Sequence, residues 1–172
     1  MPGHAPFAAL RVAAETGGAD VRELHAGDAW TEGDVRVRVL SPEPPDWERR
    51  RVRNDDSVVL EVRRGDVAFL LTGDISAEVE AQLVPRLQMA PVRVLKVAHH
   101  GSKTSTSQSL IDAWKPQVAL ISCGRGNRFG HPAPEVIDRL QRAGVKVYRT
   151  DINGAITVTA DATTVRVTTV LP

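Results

Sequence analysis

The chain has 172 residues, a formal net charge of +1, 42% hydrophobic and 25% charged residues, and aromatics at only 4%. Such numbers describe one soluble globular domain with an aliphatic core, and they exclude nucleic-acid binding through global positive charge. The single cysteine, Cys123, excludes an internal disulfide partner and a cysteine-built zinc cage, and no apolar run approaches the ~18 residues of a membrane span.

The N-terminus, MPGHAPFAAL, lacks the basic region and long apolar stretch of a signal peptide, so the sequence carries no address and leaves the compartment open. Ala5 to Thr16 reads as a helix, with Pro6 in its first turn and Gly17-Gly18 ending it. Asp20 to Leu24 reads as a short strand, and Val35 to Leu40 alternates apolar and charged residues as a strand with one wet face does. Ser41 to Asp56 is rich in proline and charge and reads as a long loop. SVVLEVR and VAFLLTGD form a hairpin closed by Arg64-Gly65-Asp66. Ser76 caps a helix running toward Gln88, with Glu80 near the capping-box position and Pro85 shortening it. VRVLKVAHH is a strand, Ser107 to Lys115 a helix, and Gln117 to Gly124 a buried strand. A helix over Pro134 to Ala143 follows, then VKVYR, GAITVTA and Thr163 to Val170 as strands. Alternation of strand and helix after residue 70 predicts a layered α/β fold, with residues 1–172 as a single domain.

Three of these strands end in polar groups. One ends in Asp74, one in His99 and His100, and the third leads into a loop carrying Asn127 and His131. Ligands of α/β sheets bind where strands run out at their carboxyl ends. Carboxylate and imidazole are the donors that suit zinc, manganese or iron, because each offers a lone pair at neutral pH and the anion offsets part of the dication's charge. Taken singly, Asp74 also suits a turn, His131 a loop brace and Cys123 a small core residue. Adjacent histidines differ, since neighbours on a strand point to opposite faces. Arg49, Arg50, Arg51 and Arg53, with Lys103, Arg125 and Arg128, form either a solvated surface or a phosphate-attracting rim. Ser102, Thr104, Ser105 and Thr106 suit either phosphate oxygens or the cap of the next helix.

In order, NDDSVVLEV, FLLTGD, LKVAHHGSKTS, ISCGRGNRFGHP and VYRTDINGAI resemble the metallo-β-lactamase-like domain of ComEC-type DNA-internalisation competence proteins. HAGDAW at His25 to Trp30 adds to the match, which is strongest from residue 54 to 159. The resemblance implies an αββα sandwich with a metal site at one edge, and a metal-dependent phosphodiesterase or nuclease acting on DNA during uptake. It implies Asp74 and His100 as ligands of a divalent zinc or manganese ion, with His99 and His131 at the scissile phosphate. Asn54, Ser102, Lys103, Asn127 and Arg128 would then meet substrate. Asn54 stands where many relatives have a metal-binding histidine. The superfold's main ligand motif, HxHxDH, is not in this sequence. The chain is therefore expected to be the C-terminal part of the domain, incomplete at its N-terminal half, and weak or inactive as an isolated chain. Apolar sheet surface is expected to pair with the missing half, with a membrane channel protein, or with a second copy. Two alternatives keep the same fold: a non-catalytic remnant or interaction module, and a hydrolase of a small ester or phosphodiester.

Overall fold

A computed structural model describes residues 5–44 and 53–172, with side chains from residue 8 onward. Arg49, Arg50 and Arg51 lie outside the described residues. The elements run α1 (Ala5–Thr16), β1 (Ala29–Glu32), β2 (Val35–Ser41), β3 (Val59–Arg64), β4 (Val67–Leu71), α2 (Ala77–Leu83), β5 (Val92–Lys96), α3 (Gln108–Trp114), β6 (Val118–Ile121), α4 (Pro134–Arg142), β7 (Lys146–Arg149), the short α5 (Thr150–Asn153), β8 (Ile156–Ala160) and β9 (Val165–Thr169). Strands β1 to β7 form one seven-stranded sheet in sequence order, and β8–β9 pair as a separate antiparallel hairpin.

The sheet changes character at β4. β1 to β4 are antiparallel neighbours, whereas β4 to β7 are parallel. Parallel neighbours need crossovers, and α2, α3 and α4 supply them. Consequently β4, β5, β6 and β7 all end at one edge of the sheet, so the loops leaving them are neighbours.

Register explains which residues are buried. Leu70, Leu95 and Ala119 pair in one row and join the core with Leu110, Ile111, Trp114, Val136 and Leu140 of the helices. The fully buried Trp114 and the residues around it hold the helices to that face. The opposite face carries a second set of rows, Val39–Leu60–Leu71–Lys96–Leu120–Tyr148 and Val37–Val62–Phe69–Val94–Val118. Leu71 in that set is 36% exposed. Hairpin β8–β9 is tied to the sheet at the β3–β4 turn, where Asp66 N–H donates to Ala162 O at 2.7 Å and Arg64 donates to Ala160 O at 3.1 Å.

Several expectations change in detail. Asp20 to Leu24 forms no strand, while Ala29–Glu32, an exposed edge strand, does. The Ser76 side chain does not cap α2; Asp55 Oδ1 accepts the Ser76 N–H at 2.7 Å instead. α2 stops at Leu83 and a 3₁₀ turn over Val84–Arg86 contains Pro85, because proline lacks the N–H that a continuing helix needs. The strand that leads to the histidines stops at Lys96, so alternation of faces does not orient them.

Candidate metal and phosphodiester site

The loops leaving β4, β5 and β6 converge. After β4, Thr72 donates from Oγ1 to Lys96 O at 2.6 Å, tying the end of β4 to the end of β5. Gly73 follows at φ +56, and a Cβ there would meet the Ser57 Cβ at 2.6 Å. That close approach lets Ser57 Oγ accept the Asp74 N–H at 3.1 Å and donate to Asn54 O at 2.6 Å. Asp74 and Asn54 are thereby set beside each other from two loops.

After β5 the chain winds to the left. His99 has φ 46 and ψ 44, His100 has φ 56 and ψ 19, and Gly101 has φ 82. Left-handed backbone costs a non-glycine residue roughly 1–2 kcal/mol, and such strain collects at functional sites. Contacts hold the turn: His99 N–H donates to Gly73 O at 3.0 Å, and Ser102 N–H to His99 O at 2.9 Å. Gly101 is required here because a Cβ would lie 2.6 Å from the Pro132 Cβ.

The turn sends the two imidazoles to different partners. His100 Nδ1 lies 2.7 Å from Ser122 O at the end of β6, and its Nε2 lies 3.8 Å from Asp74 Oδ1. Since a carbonyl only accepts, Nδ1 carries a proton, and Nε2 is the nitrogen directed at Asp74. Metal-binding histidines are oriented in this way. His99 Nε2 lies 3.2 Å from Asn54 Nδ2, so the amide donates to the ring as placed. His99 also meets the His131 ring edge-on, with centroids 5.8 Å apart.

For a divalent ion held by bonds of ~2.0–2.2 Å, two donors separated by 3.8 Å are close to adjacent positions of one coordination shell. Asp74 and His100 fit that requirement. Among the described residues no group of three or more histidine, cysteine, aspartate or glutamate side chains is placed to hold a metal.

The remaining candidates divide by what their side chains already do. Asn127 donates to Gly124 O and His131 O and accepts the His131 N–H, so it braces the loop over Gly124–His131 from inside. Ser102 is buried and its Oγ meets Thr104 Oγ1 at 3.0 Å. The polar atoms of both side chains are engaged in hydrogen bonds within their own loops. Lys103 and Arg128 are exposed, and Arg128 lies over the Phe129 ring at 5.1 Å. The helix cap is Ser107, whose Oγ accepts Leu110 N–H at 3.2 Å.

Two neighbours have no counterpart among the sequence-derived candidates. Lys96 sits at the end of β5 on the sheet face away from the helices, donating from Nζ to Val97 O at 2.9 Å. Burial lowers its pKa, opposed by the charges of Asp74 and Cys123. A lysine inside VLKVA was the available signal. The other is the pair Arg149–Asp151: Arg149 donates twice to Asp151, and Cys123 Sγ donates to Asp151 Oδ1 at 3.0 Å. Arg149 thus holds the Asp151 carboxyl below its usual range, while burial and Asp151 push the Cys123 thiol up. Cys123 is a hydrogen-bond donor that pins the end of β6 to α5, in addition to packing on the core. His131 titrates below its ordinary value, mainly through burial and then the charges of His99 and His100, with Asp74 opposing.

Comparisons with known proteins agree with this construction. The sequence model of the metallo-beta-lactamase superfamily matches residues 15–125. ComE operon protein 3 of Bacillus subtilis (strain 168) is 40% identical over 144 residues, covering 84% of this chain and 18% of its own length. Recombination protein 2 of Haemophilus influenzae is 38% identical over 133 residues, covering 77% of this chain and 16% of its own. Competence protein ComA of Neisseria gonorrhoeae is 35% identical over 133 residues, covering 76% and 19%. The chain thus spans under a fifth of the length of each of these relatives. Among solved structures, CmlA beta-hydroxylase (E377D mutant) superposes with a TM-score of 0.51 at 16% identity, covering 86% of this chain and 35% of that one, a likeness of fold alone. The resemblance to ComEC-type competence proteins therefore holds at 35% to 40% identity over most of the chain. The chain belongs to the metallo-beta-lactamase superfamily.

Proposed function

We propose that this chain is part of a metal-dependent phosphodiesterase acting on DNA in connection with its uptake. One observation carries the reading: Asp74 and His100 approach to 3.8 Å at the carboxyl edge of the parallel strands, with the His100 Nδ1 proton committed to Ser122 O. Support for DNA as substrate comes from relatives named for competence and recombination. In this reading Asp74 and His100 hold a zinc or manganese ion, which when bound supplies Lewis-acid polarisation of a phosphodiester. His99, held by Asn54, and His131, neutral near pH 7, sit beside that position as the polar groups nearest the phosphate. Lys103 and Arg128 on the exposed rim attract the anionic strand.

Catalytic zinc sites usually have about three protein ligands, and the described residues supply two. Metal is therefore held weakly by this chain alone, and catalysis by it is slow. A second reading, a non-catalytic module with the same fold, is favoured by that same shortage. Titration with zinc and manganese separates the two. The enzyme reading requires saturable binding that Asp74→Ala or His100→Ala abolishes and His99→Ala largely retains. Absence of saturable binding, or equal loss in all three variants, supports the non-catalytic module. Cleavage of single- and double-stranded DNA, set against simple esters, then assigns the substrate class.

A further inference from the structure

Beside His131 stands an aromatic residue that nothing above employs. Phe129 is 68% exposed, at the tip of the loop that Asn127 braces. A singly exposed apolar residue is ordinary. This one is built into an array. Its ring stacks on His131 with centroids 6.0 Å apart and planes 20° apart, and Arg128 lies over it at 5.1 Å. His131 in turn meets His99 at 5.8 Å, and His99 meets His100 at 6.4 Å. A row of rings therefore leads from the solvent to the Asp74–His100 pair.

We propose that Phe129 is a stacking platform for an unpaired nucleobase adjoining the phosphate, so that the site takes single-stranded or locally unstacked nucleic acid. This deepens the phosphodiesterase reading and rests on it for the position of the phosphate. Every base has a π-face, so an exposed aromatic ring binds bases with little regard to sequence, and a neighbouring arginine adds cation–π attraction and meets the backbone charge. Arg128, Arg125 and Lys103 are exposed on the same group of loops and provide that charge. A duplex cannot use the platform, because both faces of each internal base are occupied by its neighbours. A strand whose phosphate lies at Asp74 and His100 extends past His99 and His131 and lays a base on Phe129.

The test uses the 172-residue chain. Binding is followed by anisotropy for oligothymidylate, its ribo-counterpart, an abasic deoxyribose-phosphate strand of the same length, and a duplex. Phe129→Ala should weaken the base-bearing strands roughly 5- to 150-fold and leave the abasic strand unchanged. Phe129→Trp should restore binding, with indole quenching by base-bearing strands only, measured against the wild-type background. The ratio between the deoxy and ribo arms assigns the natural strand. Equal binding of abasic and base-bearing strands, no effect of Phe129→Ala, or no binding of any strand overturns the platform. Loss of metal-dependent abasic-strand cleavage in Asp74→Ala but not in Phe129→Ala would preserve the phosphodiesterase reading while the platform falls. Base-dependent binding lost in Phe129→Ala, with no metal binding in the parent chain, would do the reverse.

Discussion

At the scale of single residues, the unusual feature is three successive left-handed positions, His99, His100 and Gly101. Only this turn lets adjacent histidines serve different partners, one at Asn54 and the other between Ser122 and Asp74. Gly101→Ala should destabilise the fold by more than the roughly 1–2 kcal/mol of left-handed backbone, because its Cβ also overlaps Pro132. Urea unfolding checks this, and a loss below 1 kcal/mol would contradict the geometry. His131 makes a pH prediction. Its folded pKa lies below the ordinary ~6.5, so the unfolded chain binds the proton first as pH falls. The stabilising effect is complete above ~6.5 and is lost as pH drops through that value toward the folded pKa. Wild type should therefore lose stability relative to His131→Gln across about pH 7 to 5, and parallel curves would rule this out. His131 was legible as a candidate from its motif, whereas its contact with His99 depends on two loops meeting.

Among elements, Glu80 on α2 shows how a local reading misplaces a side chain. It stands one residue beyond the capping-box position set by Ser76, and the buried carboxylate instead accepts N–H bonds from Thr106 at 2.5 Å and Ser107 at 2.7 Å. It thereby fixes the loop after Gly101 and the start of α3, helped by Arg139, which donates to Ser105 O at 3.3 Å. Glu80→Ala leaves the buried Thr106 N–H and the half-buried Ser107 N–H without that acceptor and should cost about 2–4 kcal/mol by chemical denaturation. Burial raises the Glu80 pKa, against the pull of the Ser107 and Thr106 bonds and of Arg139. Because the folded form keeps its proton longer, this group's contribution falls as pH rises from ~4.3 through the folded pKa. The variant should lack that slope; a slope shared by both proteins would assign it elsewhere.

For the whole molecule, the sheet has two unlike faces. One is closed by α2, α3 and α4, with Leu70, Leu95, Leu110 and Trp114 fully buried. On the other, Leu60, Val62, Phe69, Val118 and Leu120 are only half-buried and Leu71 is exposed. Val37, Val39 and Val94 of that face are buried, and the partly exposed apolar residues around them favour association. The chain should self-associate with rising concentration, and Leu71→Glu should reduce that without unfolding it. Sedimentation velocity gives the answer; a monomer at all concentrations, or no change in the variant, would show that the face is covered.

The amino-acid sequence by itself determined the strands and helices of the second half and the set of polar residues at strand ends. Hydrophobic periodicity is a local property, and the ordered motifs from Asn54 to Thr159 carry the family. It left β1 unseen, since an exposed edge strand buries nothing and so shows no alternation. It also left open which histidine faces Asp74, and which groups the Asn127 and Ser102 side chains hydrogen-bond. Tertiary structure decided these, because a left-handed turn, a tautomer set by a distant carbonyl and an aromatic row across two loops arise only when separate segments come into contact.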